Sequence, residues 1–341
     1  MTTALLQVEG LAKHFPVSQG LFGGKNRRLK AVDGVSFSLA RGETLGLVGE
    51  SGCGKSTVGK LIMRLIEPTA GSVKLDGDEL THVSGKRLRS VRRRVQMVFQ
   101  DPYASINPRL RANVIVGEPL QNYEKLEVTE RDNRVAALFD KVGLRRDAMR
   151  RYPFEFSGGQ RQRLGIARAL SLSPSVIVAD EPVSALDVSV QAQVINLLAD
   201  LQAELKLAYL FISHDLAVVE HIAHRVAVMY LGRIVEIGPK RRIFASPQHP
   251  YTQALIAAAP AHDPRARRQR IVLEGDVPSP VDPPRGCAFH TRCPYAFDRC
   301  RSEIPTLSGR AEEGHLAACH LNAATTPGTT SVSRSDVSQG F

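Results

Sequence analysis

The sequence predicts an α/β fold: a buried, largely parallel sheet flanked by helices, with a small unit after it. Three observations predict this. The runs "TLGLVG" (44–49), "SVIVAD" (175–180) and "LAYLFISHD" (207–215) are short and mostly apolar, as strands covered on both faces must be. Helix-periodic stretches separate them, "STVGKLIMRLI" after the first and "SVQAQVINLLADLQAEL" between the last two. The first run also ends in a glycine-rich loop, "GESGCGKST" (49–57), before its helix. Strand, loop, helix is the context that a phosphate-binding loop requires.

Taken in order, "LLQVEGL" and "VDGVSFSL" alternate as half-buried strands, separated by a Gly/Lys/Arg-rich insertion, "SQGLFGGKNRRLK" (18–30). "RVQMVFQ" (94–100) is a further strand. Residues 104–168 turn helical, with "RDNRVAALFDKVGL" the clearest amphipathic stretch. "RVAVMYLGRIVEIG" (225–238) reads as a closing strand pair. After "HPYTQAL" the composition shifts to Pro, Arg and Cys, so the division expected is a first domain at 1–250, with 104–168 as its helical subdomain, and a second at 251–321. The polar segment 322–341 is expected to be a disordered tail.

The formal net charge is +11, concentrated in "KRLRSVRRR" (86–94) and "RARRQR" (265–270). No nucleic-acid module accompanies these runs, so a solvated face, or attraction to an anionic leaflet, is preferred over nucleic-acid binding. Neither a secretory signal nor a membrane-length apolar run is visible, which places the chain in the cytoplasm. Five cysteines there point to metal or reactive thiols and away from a disulfide framework.

Gly49, Gly54, Lys55 and Ser56 satisfy G-x-x-x-x-G-K-[ST]. The glycines let backbone N–H groups converge on phosphate oxygens, Lys55 adds a point charge near the β- and γ-phosphates, and the Ser56 hydroxyl is a Mg2+ ligand. Asp180 ends a buried strand, where it holds the Mg2+ shell, and Glu181 beside it is placed to orient or deprotonate water. Cys53 lies in the loop, where a helix start offers a route to a depressed thiol pKa; a small side chain that merely fits is the simpler reading.

"FSGGQRQR" (156–163), "VIVADEP", "SALD" and "FISHD", in this order after the phosphate loop, resemble the ATPase subunits of ATP-binding cassette (ABC) transporters. The resemblance implies a P-loop NTPase with a RecA-like core, an antiparallel β subdomain and a helical signature subdomain. It implies that Gly49, Glu50, Ser51, Gly52, Cys53, Gly54, Lys55, Ser56 and Thr57 surround ATP, that Phe15 stacks on adenine, and that Gln100 meets the Mg2+ and the water. It further implies that His214 contacts the γ-phosphate and that Ser157, Gly158, Gly159 and Gln160 cover the nucleotide of a partner subunit. Asp187 belongs to the loop that crosses to that partner. Two such chains associate head to tail, since a phosphate loop leaves the far side of the γ-phosphate open.

"HPYTQAL", "GDVPSPVDPPRGCAFHTRCPYAFDRC" and "HLAACH" resemble the ATPases of bacterial dipeptide and oligopeptide importers, a group with nickel-importing members, up to about residue 321. The "VFQDPYASINPR" run fits the same group. The resemblance implies a second ATPase chain, two permeases, a solute-binding protein and a peripheral place on the cytoplasmic face of the inner membrane. Dipeptide or oligopeptide uptake is the expected work, with nickel or another solute, or a soluble ATPase acting on ribosome or DNA, as alternatives. Cys287, Cys293, Cys300 and Cys319 form C-x5-C-x6-C-x18-C, which lacks the close pairs usual for zinc. Four thiolates suit a [4Fe–4S] cluster, which the family associates with this region; zinc with His290, His315 or His320 substituting, or no metal, stays open.

Overall fold

A computed structural model describes residues 4–17, 27–101, 105–258, 275–309 and 314–322. The chain opens with β1 (Leu6–Pro16) and β2 (Arg28–Leu39), paired antiparallel, then β3 (Thr44–Val48). Next come α1 (Lys55–Ile62), β4 (Ala70–Leu75), the two-residue β5 (Asp78–Glu79), α2 (Gly85–Arg94) and β6 (Val95–Val98). The helical stretch is α3 (Ala112–Glu124), α4 (Val128–Lys141) and α5 (Gly158–Leu170). It leads into β7 (Val176–Asp180), α6 (Val188–Leu205), β8 (Ala208–Ile212), α7 (Leu216–Ile222), β9 (Arg225–Tyr230) and β10 (Arg233–Pro239). The last elements are α8 (Lys240–Ala245), α9 (Pro250–Ala258), α10 (Asp298–Ser302) and β11 (Leu316–Ala317).

Two sheets result. The small antiparallel one has strand order β2-β1-β4-β5; the large one runs β11-β10-β9-β3-β8-β7-β6. In the large sheet β3, β6, β7, β8 and β9 are parallel, and β10 and β11 close one side antiparallel. Strands β3, β7 and β8 are buried at every residue, which is why they read as unbroken apolar runs. Alternate residues nevertheless feed different cores. Ile177, Ala179, Tyr209 and Phe211 join one with the helical region, whereas Val176, Val178, Leu210 and Ile212 join another with β1, β2 and β4.

The C-terminal segment is welded to the first core. Tyr251 and Phe289 are buried within it, and β11 extends the large sheet by pairing Glu236 with Ala317 and Ile237 with Leu316. Helix α2 goes unsignalled in the sequence because it has almost no apolar face: Val91 is its one buried residue. Its arginines are held within the chain, Arg94 by Asp76 and Asp78, and Arg93 by Glu124. Within the basic run 86–94, Arg93 and Arg94 are thus paired with acids of the chain, and the run 265–270 lies outside the described residues. Most of the insertion 18–30 and the tail 323–341 also lie outside, but Arg28, Leu29 and Lys30 already belong to β2. No helix among the described residues is long and apolar enough to cross a membrane.

Candidate active site

Strand register assembles the site. Leu47 is level with Ile212, Ile212 with Asp180, and Ala179 with Val98. The residues that come after these positions, Gly49, His214, Glu181 and Gln100, therefore emerge along one rim, at the carboxyl ends of the parallel strands. That rim is where open α/β sheets bind ligands.

At the first strand end the chain makes the loop that leads into α1. Gly54, its last residue, has φ 108°, and a Cβ there would lie 2.1 Å from the carbonyl oxygen of Ala31. Only glycine accepts both demands. Lys55 is buried, and its Nζ donates to the carbonyls of Gly49 (2.8 Å) and Glu50 (3.0 Å), tying the loop to its own helix. No side chain caps α1, so its N-terminal dipole faces the loop unneutralised.

The Ser56 hydroxyl donates to Asp180 at 2.8 Å. Burial raises the Asp180 pKa, Ser56 opposes that, and the neighbouring Glu181 carboxylate raises it further. Lys60 and Lys55 oppose the rise more weakly, and a hydroxyl and a carboxylate oxygen side by side are the hard donors that suit a divalent cation such as Mg2+. Glu181 has φ 47°, a left-handed backbone uncommon for this residue type, held by its N–H bonding to Ile212 O at 2.9 Å. Its carboxylate accepts from Gln100 Nε2 at 3.0 Å and meets His214 Nδ1 at 3.1 Å. The glutamate is half-buried while the histidine is exposed, so Glu181 is fixed in place with its partners open to incoming groups.

Cys53 follows the simpler of its two readings. It is buried, and burial pushes its thiol pKa up, outweighing Lys55 beside it. The helix start does not make it a reactive thiolate.

The second glycine-rich helix start lies on another layer. α5 packs on α3, α4 and α6, while α1 packs on β2, β7 and β8. Ser157 Oγ accepts from the Gln160 N–H at 3.3 Å, and Gln160 Oε1 accepts from the Ser157 N–H at 3.0 Å, a reciprocal capping box. Ser157 and Gln160 are exposed, and Phe156 before them is buried. Because Ser157 only accepts in the box, its hydroxyl hydrogen stays available to an outside acceptor. Asp187 is exposed at the start of α6. Phe15 is half-buried on β1 opposite Leu29, with Lys13 Nζ 5.1 Å from its ring centroid.

The four cysteines of the C-terminal segment share one neighbourhood: Cys287 N–H donates to Cys300 O at 2.8 Å, and Cys319 is electrostatically coupled to the other three. Burial pushes Cys293 and Cys319 up to about 11. Among the described residues no three His, Cys, Asp or Glu side chains converge as a metal-ligand set. The candidate histidines have other bonds: His290 to Cys287 O, His315 to Glu236 and His320 to Glu303 O. The expected iron–sulfur cluster thus finds no ligand set among the described residues.

Two residues of the C-terminal segment meet the loop. Tyr251 Oη accepts from the Glu50 N–H at 2.8 Å, and Arg292 forks onto the Glu50 carboxylate at 2.8 and 3.0 Å. Tyr251 lies inside "HPYTQAL" and Arg292 inside "GCAFHTRCPYAFDRC", but nothing local in either stretch signals a bond to Glu50.

Comparison with known proteins agrees with this geometry. A family model described as "ABC transporter" matches residues 32–184, and one described as "Oligopeptide/dipeptide transporter, C-terminal region" matches residues 235–300. The "Probable peptide ABC transporter ATP-binding protein y4tS" of Sinorhizobium fredii is 58% identical over 95% of this chain and 91% of its own length. The dipeptide transport ATP-binding protein DppF of Haemophilus influenzae is 54% identical over 93% of this chain and 96% of its own. Among solved structures, the ATP-binding cassette MJ0796, described as dimeric, post-hydrolysis and bound to ADP and Pi, covers 69% of this chain and 99% of itself, with TM-score 0.62 and 27% identity.

Proposed function

This chain belongs to the ABC transporter family of ATP-binding proteins, and from that premise we propose that it powers import of dipeptides or oligopeptides by hydrolysing ATP as half of a head-to-tail pair. The observation that carries the reading is Glu181, held between Gln100 and His214 directly beside the Ser56–Asp180 pair. In this reading the loop Gly49–Thr57 surrounds the nucleotide, and its N–H groups left without a partner in the chain, with the Lys55 ammonium, hold the phosphates. Ser56, Asp180 and Gln100 hold Mg2+, which when bound neutralises charge on the β- and γ-oxygens. Glu181 takes a proton from the attacking water, and its bond to Gln100 keeps it aimed. His214 turns its exposed ring to the γ-phosphate, and Phe15 stacks on adenine.

Ser157, Gly158, Gly159 and Gln160 act on the nucleotide of the other subunit. Their capped helix start offers backbone N–H groups, a dipole and the free Ser157 hydroxyl hydrogen. Asp187 crosses the same junction. The dimeric state of the ADP-bound cassette MJ0796 supports this arrangement. Division into 1–250 as cassette, with helical subdomain 104–168, 251–321 as cysteine unit and 322–341 as tail accords with the same reading.

The names of the relatives favour peptides as cargo over nickel, and nothing favours ribosome or DNA. The partners are a second ATPase chain, two permeases and a solute-binding protein, with this chain peripheral on the cytoplasmic face of the inner membrane. For the cysteine unit, a [4Fe–4S] cluster on Cys287, Cys293, Cys300 and Cys319 rests on four cysteines of one short segment and on the family resemblance alone; anaerobic protein free of iron and sulfide overturns that part.

The composite site is tested by comparing states of assembly. Turnover is expected only in the paired, permease-bound form and is expected to rise with peptide-loaded binding protein. Full-rate ATP splitting by a strictly monomeric preparation overturns the proposal.

A further inference from the structure

We propose that the cysteine-bearing C-terminal unit braces the phosphate loop, with Arg292 as a positioning residue that acts on nucleotide affinity through Glu50. The inference rests on the nucleotide reading above and goes beyond it by assigning the C-terminal unit a part in that site.

Glu50 is the second residue of the loop, and all of its polar groups are engaged. Its N–H donates to Tyr251 Oη at 2.8 Å, its carbonyl accepts from Lys55 Nζ at 3.0 Å, and its carboxylate receives both Arg292 terminal nitrogens at 2.8 and 3.0 Å. Two of these three partners come from beyond residue 250, and Arg292 is separated from Glu50 by 242 positions. The Arg292 side chain is 7% exposed, and its guanidinium carbon lies 6.0 Å from the Tyr230 ring centroid. Tyr230 in turn contacts Tyr251 and Phe289, at centroid distances of 4.7 and 5.3 Å. The Tyr230 ring, itself packed on Tyr251 and Phe289, lies beside the arginine, and the arginine holds the loop carboxylate. Close by, the Lys30 N–H donates to Pro280 O at 3.1 Å, a second attachment of the same unit to the nucleotide side of the cassette.

The chemistry gives this contact a purpose besides packing. A loop that receives a polyanion carries a carboxylate of its own, and an unpaired carboxylate there repels phosphate. Arg292 cancels that charge, and its planar fork sets the orientation of the group it cancels; a lysine supplies the charge without the fork. The catalytic groups Glu181, Gln100 and His214 stand on other strand ends. Loss of Arg292 is thus expected to weaken nucleotide binding while sparing the chemical step.

The test uses the full chain, with ATP binding measured by titration and turnover measured in the assembled transporter. Arg292→Ala is expected to raise the ATP dissociation constant and KM at least about tenfold, the scale of a lost hydrogen bond between charged groups, with kcat within about threefold of wild type. Adding Glu50→Gln to Arg292→Ala is expected to recover most of the affinity, because the unpaired charge is then gone. Arg292→Lys is expected to fall between wild type and Arg292→Ala. Unchanged affinity in Arg292→Ala, a fall in kcat at unchanged affinity, or no recovery in the double variant each overturn the brace. If Arg292→Ala does not fold, Arg292→Lys with and without Glu50→Gln decides the same question: adding Glu50→Gln must tighten ATP binding, and failure to do so overturns the brace. Wild-type chain that binds no ATP overturns the nucleotide reading instead.

Discussion

The two glycine-rich helix starts of this chain look alike in sequence and differ in how they are finished. The start at Gly54 has no side-chain cap; its loop is tied by Lys55 from within and by Tyr251 and Arg292 from the C-terminal unit. The start at Ser157 is capped by its own neighbour Gln160 and stays exposed. The difference teaches which end is built to receive a ligand from solution and which to be presented, already complete, to another molecule. On the proposed function, a loop that encloses phosphate needs its remaining backbone donors free, and this one is held from outside at Glu50. A helix end that closes over someone else's nucleotide must be stable before the encounter.

The largest effect that sharpens this contrast belongs to the first start. Glu181→Gln removes the proton acceptor but keeps a group that can still bond, so phosphate release by the assembled pair is expected to fall about a hundredfold or more. ATP binding by the isolated chain is expected to persist. Loss of both together breaks the separation of gripping from chemistry, and rapid-quench and equilibrium-binding measurements distinguish the two.

Acid probes the outside support of that start. His249 is buried against Phe289, and the Tyr251 N–H donates to its Nδ1 at 3.1 Å. Burial lowers its pKa from 6.5 to about 4. The folded state therefore keeps this ring neutral while the unfolded chain takes up a proton, so stability is present above about pH 6.5 and declines as pH falls towards 4. At about 1.4 kcal/mol per pH unit the decline from this group is roughly 3 kcal/mol. Urea unfolding across this range is expected to show it, and His249→Gln is expected to flatten it. An equally steep curve in the variant breaks the link.

The smallest effect belongs to the second start. Ser157→Ala deletes half of the capping box and is expected to lower unfolding stability by about 1 kcal/mol. ATP affinity of the isolated chain is expected to stay unchanged, whereas turnover by the pair falls. If affinity of the isolated chain drops as well, the two starts are not separate in function.

Much of the site was legible because its parts are local. Gly49 to Thr57, Gln100, Asp180, Glu181 and His214 each stand at the end of a buried apolar strand, and parallel register then places them on one rim. The α/β class was legible for the same reason. The features that escaped depend on encounters between distant parts. Arg292 meets Glu50 across nearly the whole chain, and no spacing rule links them. Helix α2 escaped because arginine pairing holds it, while periodicity reads only apolar faces. The Cys53 thiol is not activated because desolvation, which the sequence does not display, outweighs Lys55 and the hydrogen bonds beside it.

Strand β11 is only two residues long, yet it occupies the outer margin of β10, and His315 just before it supplies Glu236, a fully buried carboxylate, with a ring nitrogen at 2.7 Å. The cassette is thus not a module that can be trimmed free of its C-terminal extension. Cutting the chain after α9 would bare backbone groups at the margin of β10 and take the His315 ring from an interior acid, leaving Glu236 only the N–H groups of Gln248 and His249 and offering neighbours an open strand edge.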